Sequence, residues 1–191
     1  MHGLINRSIE GFLRDVYGDG AWRDVAEAAQ VDPRGFQTVC DSPDEVSQAL
    51  IGQAAARLEK PEAELLEDLG AWLAGMESIR RLLRFSGRSF PEFLHRLEEL
   101  PGRAHMVLPD LGMPALTVTL EEGDWLAIAL PEGAEGWGAV IAGLIRAMAD
   151  DYGALGLILA DGRRIRVQVP DDAFAAGRDF TLGGRASRGA R

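Results

Sequence analysis

The first half of the chain places apolar residues at helical spacing, whereas much of the second half alternates between apolar and polar residues. The helical spacing predicts a succession of amphipathic helices, over about residues 4–17, 19–30, 42–58, 61–76 and 79–87. Gly18 is expected to separate the first two helices, because glycine readily adopts the backbone conformations that end a helix. Residues up to about 87 are therefore predicted to form a helical lobe.

Residues 89–114 form the transition between the two patterns. Ser89 is predicted to cap one more helix, which we call the pivotal helix, with inward positions Phe90, Phe93, Leu94, Leu97 and Leu100. Pro101 and Gly102 are expected to end or kink this helix, because proline lacks a backbone N–H and its ring clashes with the preceding turn.

Two β-hairpins with a helix between them are predicted after Pro114. Alternating apolar residues predict the strands, over residues 116–120, 125–130, 154–160 and 163–169. Asp161-Gly162 is a strong signal for the tight turn of the second hairpin, and helical spacing returns over residues 137–148. The predicted fold class is α+β, an N-terminal helical lobe followed by an antiparallel sheet of two hairpins with a helix between them.

No segment is rich enough in Pro, Gly or Ser to divide the chain into independent domains. We expect a single domain over residues 1–182, with the helical lobe over about 1–87 and a second lobe over about 88–182. Residues 183–191 are rich in Arg and Gly and are expected to form a disordered tail.

Composition narrows the classes of function. No run approaches the roughly 20 apolar residues that cross a bilayer, and the acidic residues near the N-terminus do not fit a secretory signal, so we expect a cytoplasmic protein without a membrane partner. A formal net charge of −10 argues against a nucleic-acid partner. The cluster Arg80, Arg81, Arg84 and Arg88 is expected to be the solvated face of a helix.

Side chains that could carry chemistry are few. Cys40 is the only cysteine, which excludes an internal disulfide. The adjacent pairs Asp150-Asp151 and Glu121-Glu122 direct their carboxylates apart, so both are expected to be solvated surface rather than an acid/base pair. No Gly-x-Ser-x-Gly turn supports nucleophilic catalysis. The chain is therefore predicted not to be an enzyme.

The order of elements and two segments resemble a known family. The start, Met1-His2-Gly3, and the apolar helix over residues 136–145 resemble the H-NOX family (haem nitric oxide/oxygen-binding, HNOB) in its bacterial stand-alone form, and the resemblance runs to about Val169. It implies an H-NOX-like fold that holds haem b between a distal helical lobe and a proximal lobe. It also implies a histidine on the pivotal helix as iron ligand, a later proline against the porphyrin, and a Tyr-x-Ser-x-Arg motif for the propionates.

The residues that this resemblance assigns to haem are only partly present. Pro101 stands at the position of the iron ligand, and residues 131–135 stand where the propionate motif is expected, without a hydroxyl or a guanidinium. The implied apolar lining is retained, at Ile5, Ile9, Pro114, Val140 and Leu144. Val140 replaces the tyrosine of oxygen-binding members, so a haem held here is expected to favour NO over O2.

His105 is the candidate axial ligand and the candidate metal-binding residue. It lies four residues beyond Pro101. On a continuous helix it would therefore lie on the same face as Pro101, about 5.4–6 Å further along the helix axis. The alternative is a surface or partly buried histidine in a loop. His95 lies six residues before Pro101, or about 600° around a helix, on another face. His2 is near the side where the family binds its gas ligand.

These observations favour a sensory or regulatory domain without catalytic activity. The resemblance implies signalling to a separate protein, a histidine kinase or a cyclic-diguanylate signalling protein. Two alternatives stay open for the input: a haem-based NO sensor that uses a ligand such as His105, or a haem-free module that binds an apolar small molecule or a protein.

Overall fold

The computed structural model describes residues 3–36, 44–107 and 111–170. The helical lobe contains four helices, α1 (Gly3–Ala28), α2 (Asp44–Leu58), α3 (Glu62–Gly75) and α4 (Glu77–Arg84). Gly18 interrupts α1 with φ of 87° and ψ of 165°, which confirms the predicted separation of two helices. His2, Cys40 and the predicted tail over 183–191 lie outside the described residues.

The pivotal helix is divided into α5 (Phe90–His95), a short 3₁₀ turn (Leu97–Glu99) and α6 (Leu100–Val107). Ser89 caps α5 as predicted, because its hydroxyl accepts a hydrogen bond of 3.4 Å from the backbone N–H of Glu92. The predicted position of the break was wrong. The helix is interrupted before Pro101, which lies in the first turn of α6, where a missing N–H costs no helical hydrogen bond.

The sheet has the predicted composition of two hairpins with one helix between them. Its elements are β1 (Thr117–Glu121), β2 (Trp125–Ala129), α7 (Glu135–Tyr152), β3 (Leu157–Asp161) and β4 (Arg164–Gln168). The strands are antiparallel in the order β1-β2-β4-β3, so β2 and β4 are central. The turn at Asp161-Gly162 is confirmed, with Gly162 at φ of 55°.

Two hydrophobic cores hold these elements together. We call the first the helical core; it joins α1, α2 and α3 and includes Ile9, Phe12, Trp22, Leu50 and Leu65. We call the second the sheet core; it joins the pivotal helix to the sheet and includes Phe93, Leu97, Ile128, Ile165 and Val167. Helix α7 contributes to both, with Val140 in the helical core and Ile141, Ile145 and Met148 in the sheet core.

Helices α3 and α7 approach each other so closely that only glycine fits at two positions, Gly70 on α3 and Gly143 on α7. A Cβ added at Gly70 would lie 2.0 Å from the carbonyl oxygen of Val140. Such separations leave no room for a side chain, so the two helices touch backbone to backbone. In the part of the chain described, no helix combines the length and the apolar character needed to cross a membrane.

Candidate functional site

The five predicted lining residues do not line one cavity. Ile5, Ile9 and Val140 come together at the helical core, whereas Leu144 belongs to the sheet core. Pro114 is half-buried between α6 and β1. The exposed fractions of Ile9, Val140 and Leu144 are only 1%, 9% and 7%, so protein side chains already cover them.

Aromatic residues of α1 and α3 occupy much of the helical core. The rings of Phe12 and Trp72 meet edge to face with centroids 6.0 Å apart. A Cβ added at Gly11 would lie 3.1 Å from Cη2 of Trp72, so the indole fits closely against the backbone of α1. The apolar lining that the resemblance implies is therefore packed against the protein's own side chains.

The position implied for the iron ligand lies in the first turn of α6. Pro101 is half-buried there, between the buried residues Leu100 and Ala104. His105 is exposed on α6, and His95 is exposed on α5. Among the residues that the structure describes, no group of three or more His, Cys, Asp or Glu side chains is arranged to hold a metal ion.

The segment implied for the propionates contains an acid with a partner that the sequence did not predict. Glu135 opens α7, and its carboxylate lies 3.3 Å from Nε of Arg163, in the turn between β3 and β4. The turn and α7 are in direct contact, since a Cβ added at Gly138 would lie 1.9 Å from the carbonyl oxygen of Gly162. An arginine is thus present at this end of α7, but a carboxylate already pairs with it.

The other end of α7 is fastened to α4 and to the connection that leads to the pivotal helix. Asp151 pairs with Nε of Arg80 at 2.7 Å and lies 3.4 Å from Nε of Arg84. The Tyr152 hydroxyl donates a hydrogen bond of 2.7 Å to the carbonyl of Gly87. Burial raises the pKa of the Tyr152 hydroxyl above its usual range, which favours the protonated form that donates this hydrogen bond.

These contacts correct the predictions made for the charged residues. The side chain of Asp151 is only 15% exposed, so it is not solvated surface. Glu121 is likewise engaged, by Arg164 and Arg166 of β4. Arg80 and Arg84 are partly exposed but join α4 to α7 through Asp151. Sequence spacing gave no signal for these pairs because the partners are distant along the chain.

The described part of the molecule has at least two open surface concavities. The larger, of about 550 Å³, lies between α4 and α5 and is lined by Arg84, Phe85, Gly87, Arg88, Glu92 and Arg96. The smaller, of about 430 Å³, is lined by Ala71, Ala74, Gly75, Arg80, Ala147, Asp150 and Asp151. None of the five predicted lining residues contributes to either concavity.

Comparison with known proteins identifies the family. A model of the haem-NO-binding family (HNOB) matches residues 2–154. The chain belongs to the haem-NO-binding family. The predicted resemblance to H-NOX domains is thereby confirmed, and domains of this family are haem-binding sensor domains rather than catalytic ones.

Animal guanylate cyclases are among the similar proteins. Soluble guanylate cyclase gcy-31 of Caenorhabditis elegans is 26% identical over 155 residues, which are 79% of this chain and 22% of that protein. Soluble guanylate cyclase 89Db of Drosophila melanogaster is 19% identical over 155 residues, 80% of this chain and 23% of that protein. The chain thus spans less than a quarter of the length of these relatives.

Solved H-NOX structures share the fold. An H-NOX protein from S. oneidensis in the Fe(II)NO ligation state has a TM-score of 0.73 at 14% identity, over 90% of this chain and 100% of that chain. An oxygen-binding H-NOX domain related to soluble guanylate cyclases has a TM-score of 0.69 at 17% identity, over 90% of this chain and 96% of that chain. The predicted α+β, H-NOX-like fold is confirmed.

The described residues do not match the donor set that the family resemblance implies for haem. Pro101 offers iron no lone pair, and the segment over 131–135 offers the propionates an acid in place of a hydroxyl and a guanidinium. These residues therefore provide neither the iron ligand nor the propionate contacts that the resemblance implies.

Proposed function

We propose that this chain is a non-enzymatic regulatory domain of the haem-NO-binding family, which acts on a separate partner protein and does not hold haem through the family's usual contacts. The observation that carries the proposal is the surroundings of Pro101 on α6. A proline occupies the implied ligand position between two buried apolar residues, Leu100 and Ala104. The histidine one turn further, His105, is exposed on the same helix.

The charge at the start of α7 supports the same proposal. Haem propionates are anions, and an uncompensated carboxylate beside them would repel them. Glu135 adds a negative charge at this end of α7, and its carboxylate already forms an ion pair with the guanidinium of Arg163. A propionate would have to displace Glu135 from Arg163 before it could use that arginine.

The packing of the lining residues supports a haem-free module. Ile9, Val140 and Leu144 are covered by other protein side chains, so a flat cofactor could reach them only if α1, α3 or α7 moved. The input that we propose is an apolar small molecule or a protein that shifts α7. Helix α7 is suited to transmit such a shift because it packs in both cores.

The output that we propose is a contact with a signalling protein in the cytoplasm. The family resemblance favours a histidine kinase or a cyclic-diguanylate signalling protein as that partner.

A haem titration with three variants tests the proposal. We expect no saturable change in the Soret region for the natural chain and none for His105→Ala. Pro101→His is expected to raise the affinity for haem, because an imidazole would project from the buried side of α6. Gly102→His is the matched control: an added Cβ there meets no atom within 4 Å, and Gly102 is on the exposed side of α6.

Haem binding by the natural chain is the result that would count against the proposal. Saturable haem binding by the natural chain that disappears in His105→Ala would contradict the proposal. It would instead identify a haem-based NO sensor with His105 as its axial ligand.

A further inference from the structure

We infer that the concavity between α4 and α5 is the docking site for a short acidic, partly apolar segment of the partner protein. We call this concavity the arginine concavity; it is lined by Arg84, Phe85, Gly87, Arg88, Glu92 and Arg96. The inference rests on the proposed function in that it presupposes a partner, but it makes no use of haem.

The charge of the concavity is opposite to that of the molecule. The chain carries a formal net charge of −10, yet three arginines and one glutamate line this surface. Both carboxylate oxygens of Glu92 are already engaged, one by Arg96 at 3.0 Å and the other by the backbone N–H of Arg88 at 2.9 Å. The Arg88 guanidinium is exposed and forms no ion pair with any residue in the described ranges, which leaves it available to a carboxylate of another molecule.

Phe85 provides an apolar anchor beside these arginines. Its side chain is 81% exposed, and it is the only aromatic residue among the large apolar side chains that are exposed in the described part. Solvent exposure of an aromatic ring is unfavourable, and aromatic and arginine side chains together are typical of the residues that dominate binding energy at interfaces. A segment that docks here is expected to present an apolar side chain to Phe85 and a carboxylate to Arg88.

The concavity is held in shape before any partner arrives. The Tyr152 hydroxyl binds the carbonyl of Gly87, and Gly87 packs so closely that an added Cβ would lie 2.4 Å from the backbone nitrogen of Phe93. A preformed surface loses less conformational entropy on binding than a flexible one.

The same surface is connected to α7. The Arg84 guanidinium lies over the Tyr152 ring, 4.2 Å from its centroid, and 3.4 Å from a carboxylate oxygen of Asp151. An acidic group that draws Arg84 into the concavity would weaken its contacts with the C-terminal end of α7. Docking and the packing of α7 in the two cores are therefore expected to influence each other.

Net charge favours a short acidic segment over two other occupants. Nucleic acid is negatively charged along its whole length, and a second copy of this chain carries a formal net charge of −10, so both are repelled overall by a molecule of charge −10. A short segment brings its carboxylates to the arginines without adding an extended negative surface.

Fluorescence anisotropy with the full chain tests the inference. The probe is a short fluorescein-labelled peptide of alternating glutamate and leucine, and its control has glutamine in place of glutamate. We expect saturable binding of the acidic peptide alone, weakened by added salt. Phe85→Ala and Arg88→Glu are each expected to raise the dissociation constant about tenfold, as truncation at a central interface residue does.

Matched variants separate a site from a general charge effect. Arg23→Glu makes the same charge change at an exposed position on α1, and Leu155→Ala removes an apolar side chain that is 85% exposed. Both are expected to leave the dissociation constant unchanged. All four positions are exposed, so thermal unfolding should confirm that each variant folds.

Three outcomes would overturn the inference. They are no saturable binding of the acidic peptide, equal binding of the glutamine peptide, and binding that Phe85→Ala and Arg88→Glu do not weaken. Self-association in sedimentation that depends on Phe85 would assign the surface to a second copy instead. Haem binding by the natural chain would contradict the proposed function and leave these results standing, so the two failures are distinguishable.

Discussion

The backbone of Gly143 on α7 lies against the carbonyl group of Glu67 on α3, so closely that an added Cβ would be 1.8 Å from that oxygen. One turn earlier on α7, the carbonyl oxygen of Val140 has the same relation to Gly70, at 2.0 Å. The atoms in contact are backbone atoms, which cannot move aside without shifting a helix. This contact fixes α7 relative to the helical lobe, while the other side of α7 packs on the sheet.

Gly143→Ala is therefore expected to be strongly destabilising. Insertion of a methyl group at such a contact should cost about 1–3 kcal/mol or more in the free energy of unfolding, measured by urea denaturation. Gly136→Ala on the same helix is the matched control, because its nearest neighbour would be a flexible leucine Cδ1 of Leu66 at 3.5 Å. Equal effects of the two substitutions would contradict the close contact.

Tyr152→Phe tests the connection between α7 and the start of the pivotal helix. The substitution removes the hydrogen bond of 2.7 Å to the Gly87 carbonyl and retains the aromatic ring. We expect a loss of about 0.5–1.5 kcal/mol in the free energy of unfolding. Unchanged stability would show that the hydroxyl does not hold this connection.

The pH dependence of stability tests the cross-strand ion pairs of Glu121. A side-chain hydrogen bond from Arg164 is the main cause that lowers the pKa of the Glu121 carboxyl, and Arg166 adds to it. A carboxyl with a lowered pKa in the folded state stabilises the protein above its unfolded pKa, about 4.3, and this contribution disappears as the pH falls through the folded pKa.

Glu121→Gln should accordingly lower the urea midpoint at neutral pH, and its difference from the natural chain should shrink as the pH falls below about 4. Glu122→Gln is the control, since Glu122 is exposed and forms no ion pair with the described residues. A difference that stays constant with pH would indicate lost packing rather than lost charge pairing.

Much of the fold could be predicted because local chemistry determines it. Gly18 interrupts α1, Ser89 caps α5, and Asp161-Gly162 turns the second hairpin, each through the conformational preference of one or two residues. Pro101 was assigned wrongly because a proline that ends one helix and a proline that begins the next have the same sequence signal. Only the observed end of α5 at His95 distinguishes them.

The candidate site was less predictable because it depends on which elements pack together. Helical spacing indicates that Val140 and Leu144 are buried, but it does not indicate that they face different cores. The pairing of Asp151 with Arg80, and of Glu135 with Arg163, joins residues far apart in the chain. The arginine cluster was visible in the sequence, but only Arg80, Arg81 and Arg84 lie on α4, and Arg88 lies in the connection to α5. The concavity that Arg84 and Arg88 form with Phe85 depends on this connection, which places α5 beside α4.

The most direct test of the central claim is an absorption spectrum of the natural chain after one equivalent of ferrous haem is added under nitrogen, followed by NO. We predict a broad spectrum of free haem whose Soret region gains no sharp peak from the protein, before or after NO. A sharp Soret peak that shifts with NO would contradict the claim and would show that this chain holds haem as a gas sensor through an unusual ligand.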